Sequence, residues 1–299
     1  MATGATNFGA SGYARHSKNF RPEDFPADLK GKSIIVTGAN SGLGLSTTKQ
    51  LARMGATVIM ACRNLEKSEP VRQQIVEETG NDSVELLALD VSDMDHIRRF
   101  ASEFAASGRP LHVLINNAGV MINKRQEKAD GTELTFATNT LGTFLLTQLL
   151  LPVLHRTAVE TGSNTRVVIV SSGGMLTQKM DAQDWDTKKK SYDGTVVYAQ
   201  TKRHQMYLTE LWAEKYSDAL KVNFYCMHPG WADTPGVQTS MPSFHDRFQN
   251  SLRSSDEGAD TISWLAAANH PSINEKTGLY YFDREIVPFV LSPLLSFSS

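Results

Sequence analysis

The sequence has few cysteines, no long basic run and no long apolar run, and each shortage excludes a class of protein. Two cysteines in 299 residues, Cys62 and Cys226, cannot build a disulfide framework, and their spacing is not that of a metal site. The net charge is −2 and the longest basic run is the three lysines 188–190, so we expect no nucleic-acid partner. No apolar run reaches the ~20 residues of a membrane helix, and no signal-peptide core follows the first residue. We therefore expect a soluble, cytoplasmic protein without an integral membrane segment and without a metal.

The length and composition predict one large domain with an arm and a tail. With 40% apolar side chains, 299 residues can bury a full α/β core, which we expect over residues 31–285. Residues 1–30 are rich in glycine, serine and charge and contain two prolines, so they predict an extended arm that packs on the domain or stays loose. Residues 286–299 form an apolar tail broken by a proline. Residues 235–254 lack a regular pattern, which suits a mobile lobe over a pocket.

A glycine-rich turn follows the first predicted strand. The apolar run 33–37 suits a strand buried on both faces, and it leads through TGANSGLG into a helical segment. The glycines let the backbone turn tightly and approach a ligand, while the N-terminus of the next helix attracts a pyrophosphate. The spacing is neither GxGxxG nor a P-loop, and a turn without a ligand is the structural alternative. The pattern predicts dinucleotide contacts from Gly38, Asn40, Ser41, Gly42, Leu43 and Gly44.

The next two strand ends are predicted to meet the adenosine half of such a ligand. Arg63 follows the second strand, where an acidic residue would bond both ribose hydroxyls and repel a phosphate. Arg63 can pair bidentately with a 2′-phosphate, which favours NADP over NAD, although a surface arginine is the alternative. Asp90 follows the third strand and can either accept from the adenine amino group or cap a turn.

Polar residues also follow the fourth strand and interrupt the long apolar helix after it. The amides of Asn117, Ala118 and Gly119 can bond neighbouring strands or a ribose, and a simple turn is the alternative. Residues 132–154 have the apolar spacing of one long buried helix, with Asn139 on its apolar face. A buried asparagine needs partners, either a kinked backbone with water or a catalytic network, and we favour the network.

Candidate catalytic groups lie in the second half of the chain. Tyr198 and Lys202 are four residues apart on a predicted helix, so the phenol and the ammonium share a face. A fixed cation lowers the pKa of a neighbouring phenol, which allows proton transfer near neutral pH, although the spacing also occurs by chance. Ser171 and Ser172 end the fifth strand, at the sheet edge where substrates bind. His228, just before a Pro-Gly pair, is interpreted as structural.

In this order and spacing, the motifs resemble those of the short-chain dehydrogenases/reductases over roughly residues 30–285, near the retinol-dehydrogenase-like branch. The resemblance implies an α/β fold, namely a single doubly wound Rossmann-type domain with a seven-stranded parallel sheet and NADP(H) across its carboxyl edge. The family's serine is the second of such a pair, which favours Ser172 over Ser171. The catalytic tetrad implied by the resemblance is Asn139, Ser172, Tyr198 and Lys202.

The resemblance also implies a role for each residue. Tyr198 transfers the proton to or from the substrate oxygen, Lys202 lowers its pKa and bonds the nicotinamide ribose, and Ser172 holds the substrate oxygen. Asn139 positions a water that joins Lys202 to solvent. The other implied cofactor contacts, at adenine, ribose and nicotinamide, are Asp90, Val91, Asn117, Ala118, Gly119, Pro229, Gly230 and Thr234.

The expected function is therefore an NADP(H)-dependent oxidoreductase that acts on a carbonyl or alcohol group of a small molecule. We expect an apolar substrate because Met175, Trp185 and Trp231 lie near the predicted site. One alternative is a nucleotide sensor without turnover, against which the intact tetrad argues, and another is an epimerase or lyase that retains its cofactor. The resemblance also implies a homo-oligomer formed through the helices that carry Asn139 and Tyr198, although the sequence itself fixes no oligomeric state.

Overall fold

The structure, a computed structural model, describes residues 7–26, 28–189 and 191–288. Its centre is an eight-stranded sheet in the order β3-β2-β1-β4-β5-β6-β7-β8. Neighbouring strands pair in parallel except β7 and β8, which are antiparallel. The strands are β1 (Ser33–Thr37), β2 (Thr57–Cys62), β3 (Val84–Ala88), β4 (Val113–Asn116), β5 (Thr165–Val170), β6 (Val222–Met227), β7 (Leu279–Phe282) and β8 (Glu285–Ile286).

The prediction of seven parallel strands is wrong in one respect, because the sheet has an eighth strand, β8, which is antiparallel to β7. Asp283 and Arg284 both have positive φ, 49° and 62°, so the chain reverses within two residues after β7. Such a two-residue turn matches the twist of a hairpin and brings the following strand back alongside the first. Phe282 therefore pairs with Glu285, and β8 continues past residue 285, where we expected the domain to end.

Helices cover both faces of the sheet, which confirms the doubly wound α/β class. The helices are α1 (Ala10–His16), α2 (Gly42–Arg53), α3 (Leu65–Thr79), α4 (Met94–Ala106), α5 (Leu134–Thr161), α6 (Gly194–Leu220), α7 (Pro235–Ser240), α8 (Pro242–Phe248), α9 (Ser255–Ala267) and α10 (Pro271–Asn274). Because strand side chains alternate, Ile34 and Val36 point into one core with α2, α3 and α9, while Ile35 points into the other core with α4, α5 and α6.

Helix α5 is longer than predicted and irregular. Its segment Ala137–Gly142 forms a π-helical turn, and a Cβ at Gly142 would lie 1.9 Å from the carbonyl oxygen of Val91, so only glycine lets the helix approach that loop. Although we expected no segment of this kind, α5 is long and apolar enough to cross a membrane by length and composition alone. Buried residues make up 67% of that stretch, as in the core helix of an α/β domain.

Two segments that we expected to lack regular structure contain helices. Residues 235–248 form α7 and α8, each with a proline in its first turn, where the missing N–H costs nothing. The hydroxyl of Ser240 donates to the carbonyl of Met121 at 2.9 Å, and Asn123 Nδ2 donates to the carbonyl of Ser240 at 2.8 Å. These two bonds tie α7 to the loop after β4. In the arm, α1 and two 3-10 turns replace the expected extended chain.

Candidate active site

The glycine turn between β1 and α2 has the shape that a phosphate site needs. Gly38 and Gly42 have φ of 63° and 50°, a region that favours glycine. A Cβ at Gly44 would lie 2.3 Å from the carbonyl oxygen of Gly38 and 2.5 Å from Asn117 Nδ2, so no side chain fits there. Ser41 precedes α2, and its side chain forms no capping hydrogen bond with the part of the chain that the structure describes. The first N–H groups of α2 are therefore open to an anion.

Asn117 braces this turn from the end of β4. Thr37 Oγ1 accepts from the backbone N–H groups of Asn117, at 3.0 Å, and Ala118, at 2.9 Å. The side-chain amide of Asn117 donates to the carbonyls of Thr37, at 2.8 Å, and Gly38, at 3.3 Å. The side chain thus bonds the neighbouring strand, which is one of the two uses that the sequence left open. Contact of Asn117, Ala118 and Gly119 with a ribose is still a prediction.

Arg63 is the cation at the end of β2. Its side chain is exposed and forms no hydrogen bond or ion pair with any residue that the structure describes. The next residue, Asn64, caps α3 by accepting from the backbone N–H of Lys67 at 2.9 Å. Cys62 is buried, and burial raises the pKa of its thiol, so it is a core residue rather than a nucleophile.

Asp90 forms a local turn after β3. Its Oδ1 accepts from the backbone N–H of Ser92 at 2.9 Å and from the Ser92 hydroxyl at 2.7 Å. These bonds are the turn-capping alternative stated above, and they involve one carboxylate oxygen. The adenine contacts predicted for Asp90 and Val91 are not tested by these bonds.

Asn139 connects three elements at the π-helical turn. It is fully buried, its Oδ1 accepts from the backbone N–H of Val120 at 2.8 Å, and its Nδ2 donates to the carbonyl of Val120 at 2.9 Å and to Thr201 Oγ1 at 3.0 Å. The carbonyl of Asn139 accepts from Gln205 Nε2 at 2.8 Å. A distorted helix and a polar network thus meet at this residue, whereas a catalytic use of that network is still a prediction.

The side chain of Lys202 points to the region around Asn139. Its Nζ donates to the carbonyl of Val170 at 2.8 Å and lies 5.5 Å from the centroid of the Tyr198 ring. A Cβ at Gly119 would lie 3.1 Å from Lys202 Nζ and 3.2 Å from Asn139 Oδ1, so these three residues converge. Burial lowers the pKa of Lys202 to about 8.

The Ser172 hydroxyl faces the phenol of Tyr198. Burial raises the pKa of Tyr198, and the neighbouring Ser172 hydroxyl lowers it by less. The net shift of the Tyr198 pKa is thus upward, opposite to the predicted lowering, because loss of solvation is its largest cause. The Ser171 hydroxyl instead donates to the carbonyl of Lys202 at 2.8 Å, so it is the second serine of the pair that faces Tyr198.

The loop after β6 lies over the glycine turn. Thr234 caps α7 by accepting from the backbone N–H of Val237 at 3.2 Å, and its Cβ is 3.3 Å from the place of a Cβ on Gly42. Gly230 has φ of 74°, and a Cβ there would lie 2.4 Å from Arg253 Nε. The Pro229 carbonyl accepts from Arg253 Nη1 at 3.4 Å. The predicted contacts Pro229, Gly230 and Thr234 therefore lie on one loop at the carboxyl edge.

His228 has the structural role that we favoured. Its Nδ1 accepts from the backbone N–H of Gly230 at 3.2 Å, and its ring stacks on Phe282 with centroids 4.1 Å apart. Burial, with a contribution from the Arg253 cation, lowers the pKa of His228 to about 3, so the imidazole is neutral at physiological pH.

The apolar side chains near the site differ in part from those expected. Met175 is fully buried in the core, and Trp185 packs on Phe136 with centroids 4.7 Å apart. Trp231 instead packs on two aromatic side chains of α8, with ring centroids 5.0 and 5.1 Å apart: Phe244 and Phe248. An apolar wall thus lies on the β6 side of the site.

Three residues that our sequence analysis did not single out contribute to this region. Gln205 lies three residues after Lys202 on α6, a spacing that places both on one helix face and could have indicated its role. Arg253 and Phe8 meet across 245 positions of sequence, for which no short-range pattern exists.

Comparison with known proteins identifies the family. The model of the short chain dehydrogenase family matches residues 32–243. The chain belongs to this family. Dehydrogenase/reductase SDR family member 12 of Homo sapiens is 44% identical to this short-chain dehydrogenase over 299 residues, which cover 100% of the chain and 91% of that protein. Retinol dehydrogenase 11 of Homo sapiens is 40% identical over 212 residues, 71% of the chain and 64% of that protein. The predicted family and branch are confirmed.

A solved structure supports the same fold. The short chain dehydrogenase from Escherichia coli CFT073, solved in complex with NADPH, superposes with a TM-score of 0.69. The match covers 89% of this chain and 100% of that chain at 24% sequence identity, which is evidence for the fold alone. This short-chain dehydrogenase is thus a member of an oxidoreductase family with a nucleotide-binding Rossmann fold.

Proposed function

We propose that this short-chain dehydrogenase is an NADP(H)-dependent oxidoreductase that interconverts a carbonyl and an alcohol on an apolar small molecule. The observation that carries the proposal is the convergence of Lys202 Nζ and Asn139 Oδ1 on Gly119, with the Tyr198 ring 5.5 Å from the ammonium and Ser172 facing Tyr198, at the same sheet edge as the glycine turn. A structural relative that binds NADPH supports this choice of cofactor.

The residues at the carboxyl edge fit a dinucleotide phosphate. Gly44 leaves no room for a side chain, the first N–H groups of α2 are open, and Arg63 supplies a cation beside them. When bound, the nicotinamide supplies or accepts the hydride. The residues that would hold it are Gly38, Asn40, Ser41, Gly42, Leu43 and Gly44 at the diphosphate, Arg63 at the 2′-phosphate, Asp90 and Val91 at the adenine, Asn117, Ala118, Gly119, Tyr198 and Lys202 at the riboses, and Pro229, Gly230 and Thr234 at the nicotinamide.

Each catalytic side chain has a role that its surroundings support. The raised pKa of Tyr198 keeps the phenol protonated at neutral pH, as a general acid in carbonyl reduction requires. Ser172 bonds the substrate oxygen and stabilises the charge that develops on it. Lys202 is a cation below its pKa of about 8 and stabilises the phenolate that remains after transfer. Asn139 holds the loop of Gly119 against Lys202 and so positions the ammonium.

The first experiment titrates the purified protein with NADPH and with NADH. Arg63→Ala should weaken NADPH binding at least ~10-fold and NADH binding by far less, because a charge-assisted bidentate bond to the 2′-phosphate is lost. Arg98→Ala is the matched control, since Arg98 is also exposed and bonds Asp95 on its own helix. Equal weakening of both cofactors by Arg63→Ala would show that Arg63 does not bind the 2′-phosphate.

The second experiment measures turnover of aldehydes, ketones and retinoid- or steroid-like alcohols. Tyr198→Phe should keep the affinity for NADPH and lose at least ~100-fold in rate, the scale of general acid catalysis. Tyr207→Phe, which removes a phenol nine residues further along the same helix, should keep full activity. Full activity in Tyr198→Phe refutes the mechanism. Tight NADPH binding with no turnover across the panel would favour the sensor instead.

A further inference from the structure

The arm docks at the carboxyl edge of the sheet rather than on a remote surface. The carbonyl of Phe8 accepts from the backbone N–H of Trp231 at 2.8 Å and from Arg253 Nε at 2.8 Å. Arg253 Nη2 also donates to the carbonyl of Asn7 at 3.2 Å. The family match begins at residue 32, so this contact is an addition to the family fold, whereas the 44% identical relative aligns over the whole chain, arm included.

A buried ion pair fixes the place where the arm docks. The side chains of Arg253 and Asp283 are 1% and 3% exposed, and they form two hydrogen bonds of 2.5 and 2.8 Å. His16 Nδ1 lies 2.6 Å from Asp283 Oδ2, so the end of α1 is attached to the same carboxylate. A buried pair of this kind is weak evidence for stability but a strong constraint on geometry. The guanidinium therefore holds the backbone of Asn7 and Phe8 in one position.

The ring of Phe8 lies next to Gly173, the residue that follows the proposed catalytic serine. It packs edge-on against His228, Phe282 and Trp231, with centroids 4.9, 5.2 and 6.2 Å away. Its Cε2 is 3.7 Å from the place of a Cβ on Gly173, the residue directly after Ser172. Despite these contacts Phe8 keeps part of its surface exposed. A rigid, partly exposed aromatic ring thus stands one residue from the group that would hold the substrate oxygen.

We propose that Phe8 is a specificity-determining residue, whose ring binds the apolar part of the substrate beyond the carbonyl carbon. The inference rests on the proposed function and narrows its substrate class to carbonyls and alcohols with a bulky aliphatic or aromatic group. Phe8 lies beside Trp231 and so continues the apolar wall that Trp231 forms with Phe244 and Phe248, to which the arm and the loop after β6 both contribute.

The test compares Phe8→Ala and Phe8→Leu with Phe20→Ala. Phe20 lies on the same arm but packs on Arg284 and Tyr13, so it controls for loosening of the arm as a whole. With NADPH, Phe8→Ala should raise KM for 2-decanone about tenfold, the loss expected for an apolar contact of this size, and change KM for 2-butanone less than twofold. The KM of Phe8→Leu for 2-decanone should lie between the values for wild type and Phe8→Ala. Phe20→Ala should leave the ratio of the KM values for the two ketones unchanged.

A binding measurement separates this inference from the proposed function. Calorimetric titration of 2-decanone into the protein with NADP⁺, where no reduction takes place, should show the same tenfold weakening in Phe8→Ala. If Phe8→Ala binds 2-decanone about tenfold more weakly but wild type turns over no substrate, the role of Phe8 is upheld and the proposed oxidoreductase activity is refuted. Equal changes for both ketones, an equal effect of Phe20→Ala, or no binding of 2-decanone to wild type would overturn the role of Phe8.

Discussion

Removal of the carboxylate beneath the arm should strongly destabilise the protein. Arg253 and Asp283 are almost completely buried, Arg253 donates two short hydrogen bonds to the carboxylate, and its other hydrogen-bond acceptors are backbone carbonyls. Asp283→Ala would leave a buried cation that no carboxylate balances. His16 would lose its carboxylate partner in the same variant.

The cost can be set against a surface pair of the same chemistry. Removing one partner of a buried ion pair costs about 3–5 kcal/mol, because the other charge stays desolvated. Glu69 and Arg72 also form a carboxylate–guanidinium pair, but they are one helical turn apart on α3 and their side chains are 41% and 27% exposed. Glu69→Ala should therefore lower the free energy of unfolding far less than Asp283→Ala does.

The assay is urea unfolding of wild type, Asp283→Ala and Glu69→Ala, with the free energy of unfolding extrapolated to zero denaturant. Slopes of about 1–3 kcal/mol per molar urea place the midpoint of Asp283→Ala about 1 M or more below that of wild type. Glu69→Ala should unfold close to wild type. A loss in Asp283→Ala no larger than that in Glu69→Ala would refute the reasoning from burial.

Three further predictions concern cofactor, pH and assembly. Gly44→Ala should weaken NADPH binding at least ~10-fold by calorimetry, since the new Cβ would lie 2.3 Å from the carbonyl of Gly38 and the turn must shift; unchanged affinity would contradict this. The rate of carbonyl reduction at saturating NADPH should fall as the pH rises through about 8, because burial lowers the pKa of Lys202 to that value and the cation is present only below it. A rate that stays constant up to pH ~10 would argue against a role for the Lys202 cation. Leu211→Glu should convert a homo-oligomer to a monomer in light scattering, because Leu211 is 59% exposed on α6; wild type that is already monomeric would contradict the expected assembly.

The parts of the site that sequence predicted are those encoded within a few residues. The glycine turn is a strand, a turn and a helix N-terminus in direct succession, so Gly38, Gly42 and Gly44 could be placed without knowledge of the rest of the chain. Tyr198 and Lys202 share a helix face because of their spacing alone. The α/β class was expected from the length and composition and from the resemblance to the short-chain dehydrogenases/reductases.

Sequence reasoning failed where long-range packing decides. The direction of the pKa shift of Tyr198 depends on how deeply the phenol is buried, which spacing cannot give. The Arg253–Asp283 pair joins residues 30 positions apart from two different elements. The helices α7 and α8 were missed for another reason, because Pro235 and Pro242 each begin a helix and could have been interpreted as first-turn prolines.

The two bonds of Ser240 give the site a mechanical property. β4 and β6 lie on either side of β5, so the loops that follow them flank the strand end that carries Ser172. Through Ser240 these loops are linked at Met121, two residues from Gly119, which lies against Lys202. A displacement of α7 should therefore also move the chain beside the ammonium, so we expect the two loops to shift together.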